Sequence, residues 1–163
     1  MNAKGSRRKG QSFERQIASL LSKRFGVTLR RTPLSGGWSD SAQVAGDIVC
    51  THPGPDAFPF CVECKNSEYW KLENLFVDKR MWFNAWWNQL LNECPADKKP
   101  LLIFKRRRIP PLASYRVLDF ELCDMEPCRI PMLYVTIHAG IVTAITSLED
   151  FLSYVCPIGE PDG

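Results

Sequence analysis

Apolar residues return every three to four positions from Phe13 onward. Phe13, Ile17, Leu20, Leu21 and Phe25 form one stripe of a helix, with Ser12 placed to cap it and Gly26 to end it. Residues 1–11 carry no such stripe and read as a flexible basic arm. At about 100° per residue, Glu14 falls between Leu21 and Phe25 on the helical wheel. A carboxylate inside an apolar stripe is awkward unless something pairs with it.

The period then shortens to two. VTLRRT (27–32) reads as a strand, residues 33–46 as a glycine- and serine-rich loop, and GDIVC (46–50) as a second, short strand. The run FPFCVECK (58–65) alternates strictly: Phe58, Phe60, Val62 and Cys64 on one face, Pro59, Cys61, Glu63 and Lys65 on the other. Residues 73–93 predict a long helix whose broad apolar side holds Phe76, Trp82, Phe83, Trp86, Trp87, Leu90 and Leu91, and Pro95 stops it. KPLLIFK (99–105) is a buried-type strand that runs straight into Arg106, Arg107 and Arg108. Further strands are expected at SYRVL, MLYVTIH and IVTAIT, and a closing helix around Leu148–Val155. The order helix, strand, strand, strand, helix, strand predicts an α/β fold, a central mixed sheet flanked by helices. Its core takes about residues 12–108, and a β-rich extension of the same domain takes 109–163.

A length of 163 residues suits one domain, and 45% hydrophobic with 24% charged residues argues against global disorder. No apolar run approaches the length of a bilayer crossing, and the basic N-terminus lacks the apolar stretch of a signal peptide. A cytoplasmic protein with no membrane partner is expected. The seven cysteines are odd in number and scattered through apolar segments, which fits buried thiols better than disulfides. Cys61 and Cys64 have a zinc-like spacing, but on a strand they point to opposite faces and cannot grip one ion.

The net charge of +3 conceals a segregation. Residues 1–31 hold nine Lys/Arg against one acid, a local +8, whereas residues 109–163 hold two against eight, a local −6. A second basic cluster gathers Lys98, Lys99, Lys105 and Arg106–Arg108. Such asymmetry is the footprint of a polyanion partner, or else a solvated basic face.

Glu63 and Lys65 project from one face of one strand, roughly 6–7 Å apart by strand rise. Asp47 opens the preceding strand directly after Gly46, where the backbone can turn. If these strands are neighbours, two carboxylates and one ammonium converge at one end of the sheet. Two carboxylates and a backbone carbonyl, that of Cys64, make a fitting partial shell for Mg2+, which keeps several waters. Lys65 would then position the attacking water or stabilise developing charge, and Glu14 would hold a water ligand or a second ion. Taken singly, Asp47 is an ordinary turn residue and Glu63–Lys65 an ordinary same-face ion pair. Some of the helix 73–93 aromatics are expected to seal a dimer.

The motifs G-D-I at 46–48, V-E-C-K at 62–65 and F-E-R-Q-I-A at 13–18 resemble the PD-(D/E)XK nuclease superfamily. Within it the chain is similar to Holliday junction resolvases of the archaeal and phage type. Lys9-Gly10…Glu14, Arg30-Arg31, Ser35-Gly36-Gly37, Asp47 and Glu63-x-Lys65 follow the same order over roughly residues 8–108. The resemblance implies a restriction-endonuclease-like core and Mg2+ dependence, with Mn2+ able to substitute. It also implies hydrolysis leaving 5′-phosphates, a homodimer, branched or duplex DNA as partner, and Ser35 near the scissile phosphate. Lys4, Arg7, Arg8, Lys9, Arg30, Arg31, Lys105, Arg106, Arg107 and Arg108 are the expected DNA contacts. Gln89 reads as part of a solvated helix face, although it stands at a helix position where some superfamily members place a substrate-contacting residue. Gly46 departs from the proline of the family name, and residues 109–163 have no counterpart in the smaller resolvases. Three readings follow: a nuclease selective for branched DNA, another DNA nuclease on the same core, and a non-catalytic nucleic-acid-binding protein.

Overall fold

The alternating runs become strands and the 3.6-period runs become helices in the computed structural model, which describes residues 3–33, 45–75, 81–121, 134–138 and 140–154. In chain order these are α1 (Ala3–Phe25), β1 (Thr28–Arg31), β2 (Ile48–His52), β3 (Phe60–Asn66), α2 (Met81–Glu93), β4 (Lys99–Lys105), β5 (Leu112–Arg116), α3 (Leu118–Glu121), β6 (Tyr134–His138), β7 (Ile141–Ser147) and α4 (Leu148–Tyr154). Short 3-10 turns occupy Pro55–Ala57 and Leu72–Leu75.

Five strands form one mixed sheet in the order β3-β4-β5-β7-β6. β3 and β4 run parallel, joined by a crossover that contains α2, and the other pairs are antiparallel. The expected extension is therefore no appendage, because β5, β7 and β6 complete the sheet. The expected single sheet is also divided: β1 and β2 form their own antiparallel ladder. That ladder meets the edge of β3 at one residue, Asp47, described below.

Helices cover both faces of the sheet, which is why β3 and β4 are apolar almost throughout. Phe60, Val62, Leu101 and Ile103 pack with Phe13, Ile17, Leu21, Phe25 and Phe151 of α1 and α4. Cys61, Leu102 and Phe104 pack on the other side with Trp70 and with Phe83, Trp87 and Leu90 of α2. Cys61 and Cys64 thus face opposite cores, as their spacing on a strand predicts. The second core absorbs more of the α2 aromatics than expected. Trp82 and Trp86 are partly buried against it, and Trp82 lies 5.3 Å from Trp70 and 4.8 Å from Trp86 between ring centroids.

Two helix expectations are corrected. α1 begins at Ala3, so residues 3–11 are helical instead of a flexible arm, and Ser12 lies within the helix instead of capping it. Alanine, lysine, arginine and glutamine are good helix formers, and no proline interrupts them. Their propensity outweighs the roughly 1 kcal/mol that Gly5 and Gly10 each cost. The second helix starts at Met81, and Leu72–Leu75 is a separate turn that drives Leu75 into the core. Phe76 and Val155 fall outside the described residues.

Candidate active site

β3 is an edge strand, so every second residue along it has an N–H and a C=O facing outward without a strand partner. Asp47 fills part of that gap. Its N–H donates to the Val62 carbonyl at 2.7 Å, and its Oδ2 accepts the Cys64 N–H at 2.8 Å. One residue thereby continues the ladder with a backbone donor and a side-chain acceptor. From the other side, Thr32 donates its N–H to the Asp47 carbonyl (2.8 Å) and its hydroxyl to the Gly46 carbonyl (2.9 Å). Gly46 permits the approach. Its φ is +78°, and a Cβ there would stand 2.6 Å from the Val62 carbonyl oxygen.

Glu63 follows Val62 on the α2 side of the sheet and is only 4% exposed. Lys65, on the same face two residues on, places Nζ 2.5 Å from Glu63 Oε1. It also donates to Gln89 Oε1 of α2 at 2.8 Å, and Gln89 in turn donates to Glu93 at 3.2 Å. The pair expected on one face is real, and α2 adds a third member. Gln89 is exposed, as a solvated face predicts, and its bond to Lys65 also puts it where the resemblance has a substrate-contacting residue; the crossing of α2 over β3 brings it there.

Glu14 is half-buried in α1, as its place in the stripe predicts, and its partner is Arg31. Arg31 Nε lies 2.6 Å from Glu14 Oε2. The pairing settles the awkward carboxylate without an ion, and it also occupies one of the expected DNA contacts.

Three carboxylates therefore share this corner with two cations. Arg31 takes Glu14 and Lys65 takes Glu63, while Asp47 is held by a backbone N–H. Burial, and then the neighbouring Glu63, push the Asp47 carboxyl up from 3.8 to about 6, although the Cys64 N–H works against the shift. Burial also raises the Cys64 thiol well above the usual range, followed by Asp47 and Glu14. Excess negative charge concentrated at Asp47 suits a bound cation. In a strand, a residue's N–H and C=O point the same way, so the Cys64 carbonyl shares the Asp47 edge. Glu63 lies near enough to them to raise the Asp47 carboxyl, so two carboxylates and one carbonyl are the oxygens on offer to a cation here. No cluster of three or more His, Cys, Asp or Glu side chains that could hold a metal ion occurs among the described residues.

The parallel register pairs Phe60 with Lys99 and Asn66 with Lys105, so the second basic cluster is split: Lys98 and Lys99 stand at the opposite end of β4 from Lys105–Arg108. Lys105 through Arg108 leave the sheet at the end that carries Glu63 and Lys65. The Lys105 ammonium sits 5.0 Å from the centroid of the Phe13 ring. Arg107, Arg108 and Arg30 are exposed, as are Arg7, Arg8 and Lys9 on α1. Lys4 stands in the first turn of α1. Ser35 lies outside the described residues.

A profile of the family described as "Phage putative PDDEXK endonuclease" matches residues 5–154. The chain belongs to this family. The residues expected to carry the family's namesake letters, Asp47 and Glu63-x-Lys65 with Gly46 in place of the proline, lie within the matched range. Among curated relatives of this PDDEXK family member, Protein D14 of Escherichia phage T5 is 32% identical over 108 residues. The match spans 63% of this chain and 66% of that protein, just under two thirds of its length. Among solved structures, a Holliday junction resolvase of Archaeoglobus fulgidus, an archaeal hyperthermophile, aligns over 87% of this chain and 91% of its own, with 14% identity and a TM-score of 0.35. A likeness that distant has no bearing on substrate.

Proposed function

We propose that the chain is a divalent-metal-dependent DNA endonuclease that hydrolyses phosphodiester bonds in branched DNA, four-way junctions included, as a homodimer with two symmetric sites. The observation that carries this reading is Asp47, hydrogen-bonded into the edge of β3 beside the buried Glu63–Lys65 pair. Asp47, Glu63 and the Cys64 carbonyl would hold the ion, Mg2+ or Mn2+. When bound, such an ion polarises a phosphate and lowers the pKa of a water.

The protein's own groups do the rest. Gln89 holds the Lys65 ammonium at the site, where the charge meets developing negative charge on a phosphate. The Glu14–Arg31 pair keeps a carboxylate at the rim, available to a water ligand. Arg107 and Arg108 lie at the same end of the sheet and grip backbone phosphates, as does the basic first half of α1. The preference for branched DNA and the 5′-phosphate products rest on the order of motifs from Lys9 to Lys65. A phage family points to the cytoplasm of an infected cell as the place of action, and no helix among the described residues is long and apolar enough to cross a membrane.

The test incubates labelled four-way junction, fork and linear duplex with Mg2+ or EDTA, using wild type and Asp47→Asn. Paired nicks in the junction alone, absent in EDTA and in the variant while binding persists, are expected. Equal cutting of all three substrates would make the chain a DNA nuclease of another specificity. Activity untouched by EDTA and by Asp47→Asn would end the enzyme reading in favour of a binding protein.

A further inference from the structure

Directly beyond Lys65, β3 ends in a turn, residues 67–70, that is pinned to β4. The Ser67 N–H donates to the Lys105 carbonyl at 3.1 Å, and the Trp70 indole N–H donates to the same oxygen at 3.3 Å. Trp70 itself is fully buried, with the Arg106 guanidinium 5.4 Å from its ring centroid and donating to its carbonyl at 3.3 Å. Within the turn, the Tyr69 N–H donates to Ser67 Oγ at 3.3 Å, and Glu68 accepts the Arg107 N–H, also at 3.3 Å. Between these anchors stands Tyr69, 85% exposed, the most exposed large hydrophobic side chain among the described residues.

On a turn whose backbone is already fixed, an aromatic ring left in water has only its two side-chain torsions to lose on binding. Its surroundings carry the exposed cations Lys71, Arg107 and Arg108 and the half-buried Arg106, against the exposed acids Glu68 and Glu73, and Glu68 is turned onto the Arg107 backbone N–H. Tyr69 is four residues from Lys65, on the order of 14 Å of chain at most. A ring with free faces, flanked by phosphate-binding cations, is the arrangement on which unpaired bases stack. A paired base in a duplex has its faces covered by neighbours and offers the ring nothing.

Resting on the nuclease reading above, we infer that Tyr69 is a stacking platform for an unpaired nucleotide beside the cutting site. It biases the protein toward DNA with an open arm or branch. Its partner is the π-face of any base, so the preference is for strand state and not for sequence.

Binding is measured in EDTA, without cleavage, to a fork carrying 2-aminopurine in its unpaired arm and to a fully paired duplex. Tyr69→Ala is expected to weaken fork binding roughly 5- to 100-fold and to abolish the stacking-induced change in 2-aminopurine fluorescence. Duplex binding stays within about twofold, because phosphate contacts supply it. Tyr69→Phe retains fork binding, and Tyr69→Leu, apolar but without a π-face, does not. Equal weakening on both substrates, no weakening on either, or full rescue by leucine each overturns the inference. A wild type that binds neither DNA sinks it together with the nuclease reading. Wild type that binds with this tyrosine dependence and cuts nothing in Mg2+ sinks the nuclease reading alone.

Discussion

β3 starts in an aromatic cluster and ends among charges. At its start, Phe58 and Phe60 meet Phe25 edge-on at 5.3 and 5.7 Å, and Phe60 meets Phe151 at 5.9 Å. At its end, Lys65 pairs with Glu63 and donates to Gln89, and Asp47 is bound at the edge through the Cys64 N–H. The start gains free energy from every ring it removes from water. The end spends some of it, since burial and the neighbouring Glu63 disfavour the ionised Asp47 carboxylate. Folding strength and chemistry therefore sit on one strand, within seven residues of each other, and substitutions should separate them.

The largest effect is expected at the apolar end. Phe60→Ala removes a ring shared by α1 and α4 and should cost about 3–5 kcal/mol of unfolding free energy. A denaturant melt reads this directly, and a loss below about 1 kcal/mol would show that the aromatic cluster is not what holds the strand. Next comes Asp47→Asn, which should lower cleavage by about a hundred- to thousandfold. In metal-free buffer near pH 8 it should leave the melting temperature unchanged or raised, so a destabilised variant would show that the carboxylate serves the fold.

Gly46→Ala places a Cβ against the Val62 carbonyl at a φ that disfavours any side chain. It should cost about 1–3 kcal/mol and reduce cleavage with it, because Asp47 moves too. Wild-type stability with intact activity would mean that the crossing has room the structure does not show.

A smaller effect is expected from pH. The Asp47 carboxyl is raised in the folded state from 3.8 to about 6, so the folded protein holds a proton more firmly than the unfolded chain. This stabilisation is complete below about pH 4 and is lost as pH rises through about 6, on the order of 3 kcal/mol in the metal-free protein. Asp47→Asn should remove that slope, and an unchanged slope would assign it to another group. Smallest of all, Arg107→Ala should lower the dependence of DNA affinity on salt by about one phosphate contact and leave the fold alone.

Much of this arrangement can be read from the order of residues. Strict alternation over 58–65 placed Glu63 and Lys65 on one face, and the apolar run 99–105 announced a partner strand buried on both sides. Alternation, however, is a property of one strand and does not say how strands meet. The division of the sheet at Asp47, the capture of Glu14 by Arg31 and the approach of Gln89 to Lys65 arise where elements distant in sequence cross. The helix start was misjudged for a different reason. Residues 3–11 lack an apolar stripe, and the stripe was the signal used, whereas good helix formers extend a helix that packing has already nucleated downstream.

The dihedral at Gly46 has one more consequence. A pyrrolidine ring locks φ near −65°, on the opposite side of the Ramachandran map from +78°. The glycine here and the proline of the family's namesake motif are therefore not interchangeable spellings. A proline at this position would have to pull the chain between Ala45 and Asp47 off its path, and with it the N–H that Asp47 gives to Val62.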